Sequence, residues 1–446
     1  MLTSEQTVLS LDLANIRAQF PSLAQTVNGH PAAFLDGPGG TQVPQRVIDA
    51  IANYLRRDNA NTGGAYLTSR RTDAMIAEAR SAMADFLHCA GDEVAFGPNM
   101  TTLTYAISRA IGRELKPGDE IVVTRLDHDA NVSPWLQMAD DRNVTVRWAE
   151  INDQDCTLDL ADLASKINSK TKLVAIGYAS NAVGTINPVR EIVQLAHKAG
   201  ALAYVDAVHY APHGLIDVTA LDCDFLVCST YKFFGPHMGV LFGKREHLKR
   251  FRPHKVRPNT DSIPNCWEWG TLNHECIAGV AACVDYIADL GRRRLTSVEG
   301  SGFSKGGNDA AGAIGINEGG KNERRAAIEA AYSAMHEHER GLLDRIMTGL
   351  KKIPGLKIYG ITDLARFDER CATLAVRIAG RTPLELATKL GERGFFTWDG
   401  NYYALNLTEH LDVEKSGGFL RIGLVHYNTV DEVDGLLAAL HEIVGT

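Results

Sequence analysis

Short apolar runs recur through the first two-thirds of the chain, each separated from the next by residues with helical spacing. The runs fall at Glu93–Phe96, Glu120–Thr124, Leu173–Ile176, Ala203–Asp206, Phe225–Val227 and Gly239–Gly243. Residues 11–20, Val47–Leu55, 72–87, a stretch ending near Arg113, and Arg190–Ala199 carry the helical pattern. Strand–helix–strand alternation of this kind, from about residue 94 to residue 243, predicts a mostly parallel α/β sheet.

The pattern breaks at Gly300–Gly320, where eight glycines are interspersed with Ser, Lys and Asn. That composition reads as a linker or surface insertion. A helix over Asn322–Leu350 comes next, then strands at Leu356–Tyr359 and Thr373–Ile378 and helices at Pro383–Arg393 and Val430–Ile443. The expected organisation is an N-terminal segment 1–49 joining a smaller unit, a large domain 50–299, the glycine-rich segment 300–321, and a small α+β domain 322–446.

Composition narrows the class. A chain of 446 residues exceeds one core and suggests two domains. A net charge of −8 without blocks of like charge argues against a nucleic-acid surface. The eight cysteines, at 89, 156, 223, 228, 266, 276, 283 and 371, form no CxxC pair, so neither a zinc site nor a disulfide framework is expected and reduced thiols are. The first residues lack a secretory pattern, and no apolar run approaches the roughly 20 residues of a membrane span. The expectation is a cytoplasmic protein with no membrane partner.

Chemistry concentrates at strand ends. Lys232 follows the run Phe225–Val227 in Ser229-Thr230-Tyr231-Lys232-Phe-Phe-Gly235-Pro236. Ligands of α/β sheets sit at the carboxyl ends of strands. A lysine desolvated there loses pKa and becomes a nucleophile suited to a Schiff base. Taken alone, such a lysine is a solvated turn residue; Val205-Asp206-Ala207-Val208-His209, a second strand ending in a carboxylate, changes the weighting. The two segments together resemble the class V aminotransferase and cysteine desulfurase group of fold-type I enzymes that use pyridoxal 5′-phosphate (PLP). Further segments extend the resemblance along nearly the whole chain: Leu126-Asp127-His128-Asp129-Ala130-Asn131 with Pro134-Trp135, Ser180-Asn181 with Gly184 and Pro188, Glu268-Trp269-Gly270-Thr271, and Arg421 with Tyr427-Asn428-Thr429.

The resemblance implies a fold: a seven-stranded, mostly parallel large-domain sheet with a smaller α+β domain. It also implies roles. Lys232 carries the cofactor as a Schiff base, and Asp206 faces the ring nitrogen, keeping the ring an electron sink. His128 lies over the ring face, where its ordinary pKa near 6.5 suits it to relay protons. Met100 N–H and Thr101 meet the phosphate at a helix start, although hydroxyl residues there serve equally as plain helix caps. Asn181 bonds the phenolic oxygen, and His209, Ser229 and Tyr231 complete the cofactor set. Thr271 reaches the phosphate of a neighbouring subunit, which implies a homodimer with shared active sites. Arg421 holds the substrate α-carboxylate through its planar fork, with Asn181 and Tyr403 as further substrate contacts. A glycine-rich turn, Gly37-Pro-Gly-Gly40, borders the pocket.

Two departures qualify the picture. Asn61–Ser69 lacks the family's arginine and histidine. In Trp398-Asp399-Gly400-Asn401-Tyr402-Tyr403-Ala404, Tyr403 stands where a desulfurase has its nucleophilic cysteine. A phenol with pKa near 10 cannot carry a persulfide as a thiolate does. The expected activity is therefore that of a PLP enzyme acting on a small L-amino acid through an external aldimine and a Cα carbanion, related to cysteine desulfurases but ending as a C–S β-elimination lyase or a similar reaction. A desulfurase with a displaced cysteine, Cys371, and an aminotransferase or racemase are the alternatives. A non-catalytic scaffold has no use for Lys232, Asp206, His128 and Arg421 together, and a nicotinamide enzyme lacks its glycine fingerprint here.

Overall fold

Apolar runs with no polar face are readily satisfied inside a layered sheet, and the computed structural model places all six of them in one, with a seventh strand at its edge. It describes residues 11–300 and 319–445; the glycine-rich stretch 301–318 lies outside the described residues. The strands are β1 (Val94–Gly97), β2 (Glu120–Thr124), β3 (Thr145–Ala149), β4 (Thr171–Gly177), β5 (Leu202–Asp206), β6 (Phe225–Ser229) and β7 (Gly239–Gly243). Their order is β1-β7-β6-β5-β4-β2-β3, with β7 antiparallel to both neighbours and the others parallel. β2, β4, β5 and β6 are buried nearly throughout, as a sheet covered on both faces requires. β3, at the edge, alternates exposure instead.

A second, antiparallel sheet is built from β8 (Leu356–Tyr359), β9 (Thr373–Ile378), β10 (Trp398–Gly400) and β11 (Phe419–Gly423), ordered β8-β9-β11-β10. It has its own apolar core around Leu374, Val376, Leu420 and Ile422. Residues near the N-terminus join it: Ala33–Phe34 pairs in parallel with Phe395–Phe396, and Gly423 N–H donates to Leu35 O at 2.7 Å. Asp36 thereby arrives beside β11.

The longest helices are α1 (Gln45–Arg57), α2 (Leu67–Leu87), α3 (Met100–Gly112), α4 (His274–Gly300), α5 (Gly319–Leu350) and α6 (Val430–Gly445). α2 starts five residues before the apolar pattern suggests, because its first turns bury Ser69 and Thr72, whose hydroxyls bond loop carbonyls. α4 packs along α5, α1 and α2. Phe20 is buried against Tyr286 and Tyr427 at ring distances of 5.4 and 5.1 Å. Burying one such side chain stabilises by about 1.5–3 kcal/mol. No helix among the described residues is long and apolar enough to cross a membrane.

α4 and α5 touch most closely at Gly291, where an added Cβ would sit 1.7 Å from Ala327 O. Alanine at an ordinary helix position would gain about 1 kcal/mol over glycine. Here Gly291→Ala is expected to lose about 1–3 kcal/mol by forcing the helices apart. Urea denaturation monitored by circular dichroism checks this; a variant as stable as the parent would contradict the close crossing.

Candidate functional site

Three adjacent parallel strands, β4, β5 and β6, end side by side, and their carboxyl ends form the floor of a recess. The inner part is lined by Asp127, Asp206, His209, Ser229, Met100, Thr101, His128, Asn181, Tyr231 and Lys232. It opens into an outer cavity of about 660 Å³ lined by Arg421, Trp398, Tyr402 and Tyr403 as well as His128 and Lys232. That is the size range of small-molecule sites. The inner recess thus gathers every cofactor residue expected from the sequence except Thr271.

Lys232 ends a single helical turn after β6. Its Nζ donates to the carbonyls of Pro38 and Gly39, the latter at 3.1 Å, and lies 4.7 Å from the centre of the Tyr231 ring. The glycine-rich turn therefore meets the lysine through its backbone. Gly39 is required there, since a Cβ would fall 2.0 Å from Asp36 Oδ2. Burial, followed by the nearby Arg421 charge, lowers the Lys232 pKa to about 7, against the opposing pull of Asp36 and Asp206. A large part of this amine is uncharged near neutrality.

The carboxylates of the floor move the other way. Burial lifts Asp206 to about 6, although Oδ1 accepts the Val208 N–H at 2.9 Å. Burial also lifts Asp127 to about 7, with Asp206 adding to the rise, despite hydrogen bonds from Gly177 N–H, Thr124 and Asn131. A buried carboxylate with so little compensation is suited to a cationic ring N–H.

The residues present fit PLP on three further observations. Both His209 ring nitrogens and Asn181 Oδ1 are buried without hydrogen-bond partners. The start of α3 opens on the recess, an arrangement that favours an anion. The amine, the carboxylate and the helix start line one recess.

Four expectations need correction in detail. The Met100 N–H, expected to meet the phosphate, donates to Ser229 Oγ at 3.1 Å, and Asn99 takes the Thr102 N–H, so two N–H groups of that first turn are already taken, while Met100 and Thr101 both line the recess. Asn181 Nδ2 donates to Tyr402 O at 2.8 Å, which ties it to the outer loop. His128 is not a relay poised near its ordinary range: burial and the charges of Lys232 and Arg421 lower it to about 3. Its ring is neutral, and Nδ1 accepts the Ala130 N–H at 3.0 Å. Arg421, expected to wait for a carboxylate, already has one, for Nη2 bonds Asp36 Oδ1 at 3.0 Å and Nη1 bonds Asn181 O at 3.1 Å.

Tyr402 and Asp36 were not expected as site residues. The Tyr402 ring lies 4.1 Å under the Arg421 guanidinium, and its hydroxyl bonds Phe419 O. Its neighbour Tyr403 is 71% exposed and stacks on His128 at 5.4 Å. Both tyrosines have left-handed backbones, with φ of 54° and 60°, an arrangement costly for aromatic residues and held by the Asp129 N–H bond to Tyr403 O. The spacing of Asp36 from Arg421 in the chain gave no signal; the aspartate preceding the glycine turn was the only hint. Thr271 is exposed and lines a separate cavity with Thr102, His237 and Trp269. Cys371 is 3% exposed, lines neither part of the recess, and has its thiol pKa raised by burial.

Comparison with known proteins agrees with this geometry. The family described as Aminotransferase class-V matches residues 33–301 and 295–436. A cysteine desulfurase of Pectobacterium carotovorum is 30% identical, covering 98% of both chains. An aminotransferase-like protein of Gibberella zeae is 29% identical over 98% of this chain and 99% of its own. Among solved structures, the apo cysteine desulfurase of Thermococcus onnurineus has a TM-score of 0.81 at 24% identity, covering 98% of this chain and 99% of that one.

The lysine's environment has a direct test. In PLP-free protein, reductive methylation with labelled formaldehyde followed by NMR titration is expected to show Lys232 protonating near pH 7, well below the surface lysines. Arg421→Ala should move that transition upward, because it removes a neighbouring positive charge. Titration of Lys232 with the surface lysines would refute the desolvated setting.

Proposed function

Because the chain belongs to the class V aminotransferase family and is a PLP-dependent enzyme acting on amino acids, we propose that it is a β-elimination lyase for a small L-amino acid bearing a sulfur or similar leaving group. Lys232 would hold the cofactor covalently, with Asp206 at the ring nitrogen, His128 over the ring face, Thr101 and the start of α3 at the phosphate, and Ser229, Tyr231 and His209 around it. Bound there, PLP supplies an electron sink for the bond broken at Cα.

The protein's part is orientation and proton movement. Arg421 would receive the α-carboxylate in exchange for Asp36 on Nη2, the buried and unpartnered Nε adding a donor, while Tyr402 fixes the guanidinium plane. The amine of Lys232, in large part uncharged near neutral pH, would take the Cα proton. Tyr403 and His128 cover the mouth of the recess, limiting water at the reacting carbon.

One observation carries the choice of elimination over sulfur transfer to the protein: no described cysteine lines the recess or the outer cavity, and Tyr403 occupies the loop at its mouth. Sulfur expelled from the substrate then leaves as sulfide, with pyruvate and ammonia from the carbon skeleton. Incubation with L-cysteine is expected to yield pyruvate and free sulfide, with mass spectrometry finding no cysteine carrying an added sulfur. A persulfide on Cys371, lost together with turnover in Cys371→Ser, would instead establish a displaced desulfurase nucleophile.

The same reading takes the enzyme as a homodimer with shared sites. Thr271, Tyr66, Leu67 and Val256 are exposed, and large apolar groups in that state suit a subunit contact. Mixing inactive Lys232→Ala chains with Thr271→Ala chains should restore one intact site per mixed dimer. Activity no greater than that of the two parents would count against shared sites.

A further inference from the structure

Behind the wall formed by His209 lies a second cluster of chemistry-bearing groups. His209 and His213 are in the loop after β5, Cys371 lies just before β9, and Glu339 projects from α5. His209, His213, Glu339 and Cys371 are exposed by only 4%, 4%, 4% and 3%. One donor atom from each of His209, His213 and Cys371 lies within 4.8 Å of the others. The imidazole rings stand 5.2 Å apart at 65° to each other, so they do not stack.

The polar atoms here are unusually short of partners. Glu339 Oε2 bonds His213 Nδ1 at 2.7 Å, but His213 Nε2, Glu339 Oε1 and both nitrogens of His209 are buried and unpaired. Each such atom costs free energy unless something satisfies it. PLP would account for one nitrogen of His209 at most, leaving the other and His213 Nε2 without a partner in a cluster that also holds the Cys371 thiol.

We propose that His209, His213 and Cys371 form a binding site for a soft divalent transition-metal ion, zinc first among them, with Glu339 orienting His213. Two imidazoles and a thiolate are a donor set that selects zinc over hard cations. A carboxylate on the remote nitrogen of a ligating histidine is the usual outer support of such sites. Tetrahedral zinc, with bonds of about 2.0–2.3 Å, sets its donors roughly 3.3–3.8 Å apart. Reaching that spacing brings donors that now lie within 4.8 Å of one another about 1 Å closer. Binding exchanges the thiol proton of Cys371 for the metal and releases it to solvent. The dication, the thiolate and the Glu339 carboxylate then sum to zero charge. Burial and then the Glu339 carboxylate hold the Cys371 thiol in its protonated form, and the neighbouring Arg370 guanidinium, bonded to the carbonyls of Ile361, Val183 and Thr373, offsets only part of this, so it is the metal that displaces the proton.

Such an ion would staple three separate parts of the chain together: the loop after β5, the approach to β9, and α5. Nothing in this proposal rests on the elimination reaction. The test uses purified holoenzyme equilibrated with zinc and dialysed. About one zinc per chain is expected in the parent, falling to near zero in folded Cys371→Ser and His213→Gln variants. Should the variants fail to fold by circular dichroism, anomalous diffraction at the zinc edge on crystals of the zinc-equilibrated parent decides the matter. A peak between His209, His213 and Cys371 supports the site. No peak there, or folded variants that retain the parent's zinc, overturns it.

Discussion

The arrangement at the strand ends depends on the withdrawal of one amine from water. Lys232 is buried against the carbonyls of Pro38 and Gly39, and desolvation, with the charge of Arg421, outweighs the carboxylates that would keep it charged. An ammonium there would need closer anionic partners than Asp206 and Asp36 provide. The sheet makes this possible: β4 and β5 end in register at Gly177 and Asp206, and β6 runs on past Val227, the partner of Asp206, to Ser229, so the three ends form one stepped ledge lining the recess. The glycine turn from the N-terminal segment closes over the ledge and takes the lysine's hydrogens. Removal of either element would let water in and return the amine to its ordinary basicity.

Much of the scaffold was legible because its signals are local. Uninterrupted apolar runs such as Glu120–Thr124 have one structural solution, and that strand begins and ends where the pattern does. The direction of β7 was equally readable in principle. Nine residues separate it from β6, fewer than a parallel crossover needs, so the connection must be hairpin-like. Lys232 and Asp206 were legible because a charged residue ending an apolar run marks a strand end facing a ligand.

Contacts between distant segments were not. Nothing near Arg421 in the chain announces that Asp36 will face it, since the pairing follows from a parallel contact of Ala33–Phe34 with Phe395–Phe396. His128 shows a different failure. Its identity and position were readable, but its basicity depends on how deeply the fold buries it and on which cations the fold brings near. The gathering of His209, His213 and Cys371 is invisible to cysteine spacing for the same reason: the three residues belong to separate segments.

The Asp36–Arg421 pair has a thermodynamic consequence for any ligand of the outer cavity. A guanidinium with no counterion would gain the full attraction of an incoming carboxylate. Here the newcomer competes with an internal carboxylate already in place at 3.0 Å. Association becomes an exchange of anions, so its free energy is the difference between two similar pairings. A carboxylate binding there would therefore gain less than it would at an unpaired guanidinium. The displaced Asp36 is left beside the bound molecule, where it is attracted to a positive group and repelled by a second negative one. Discrimination among ligands then falls to the anion that steps aside as much as to the arginine.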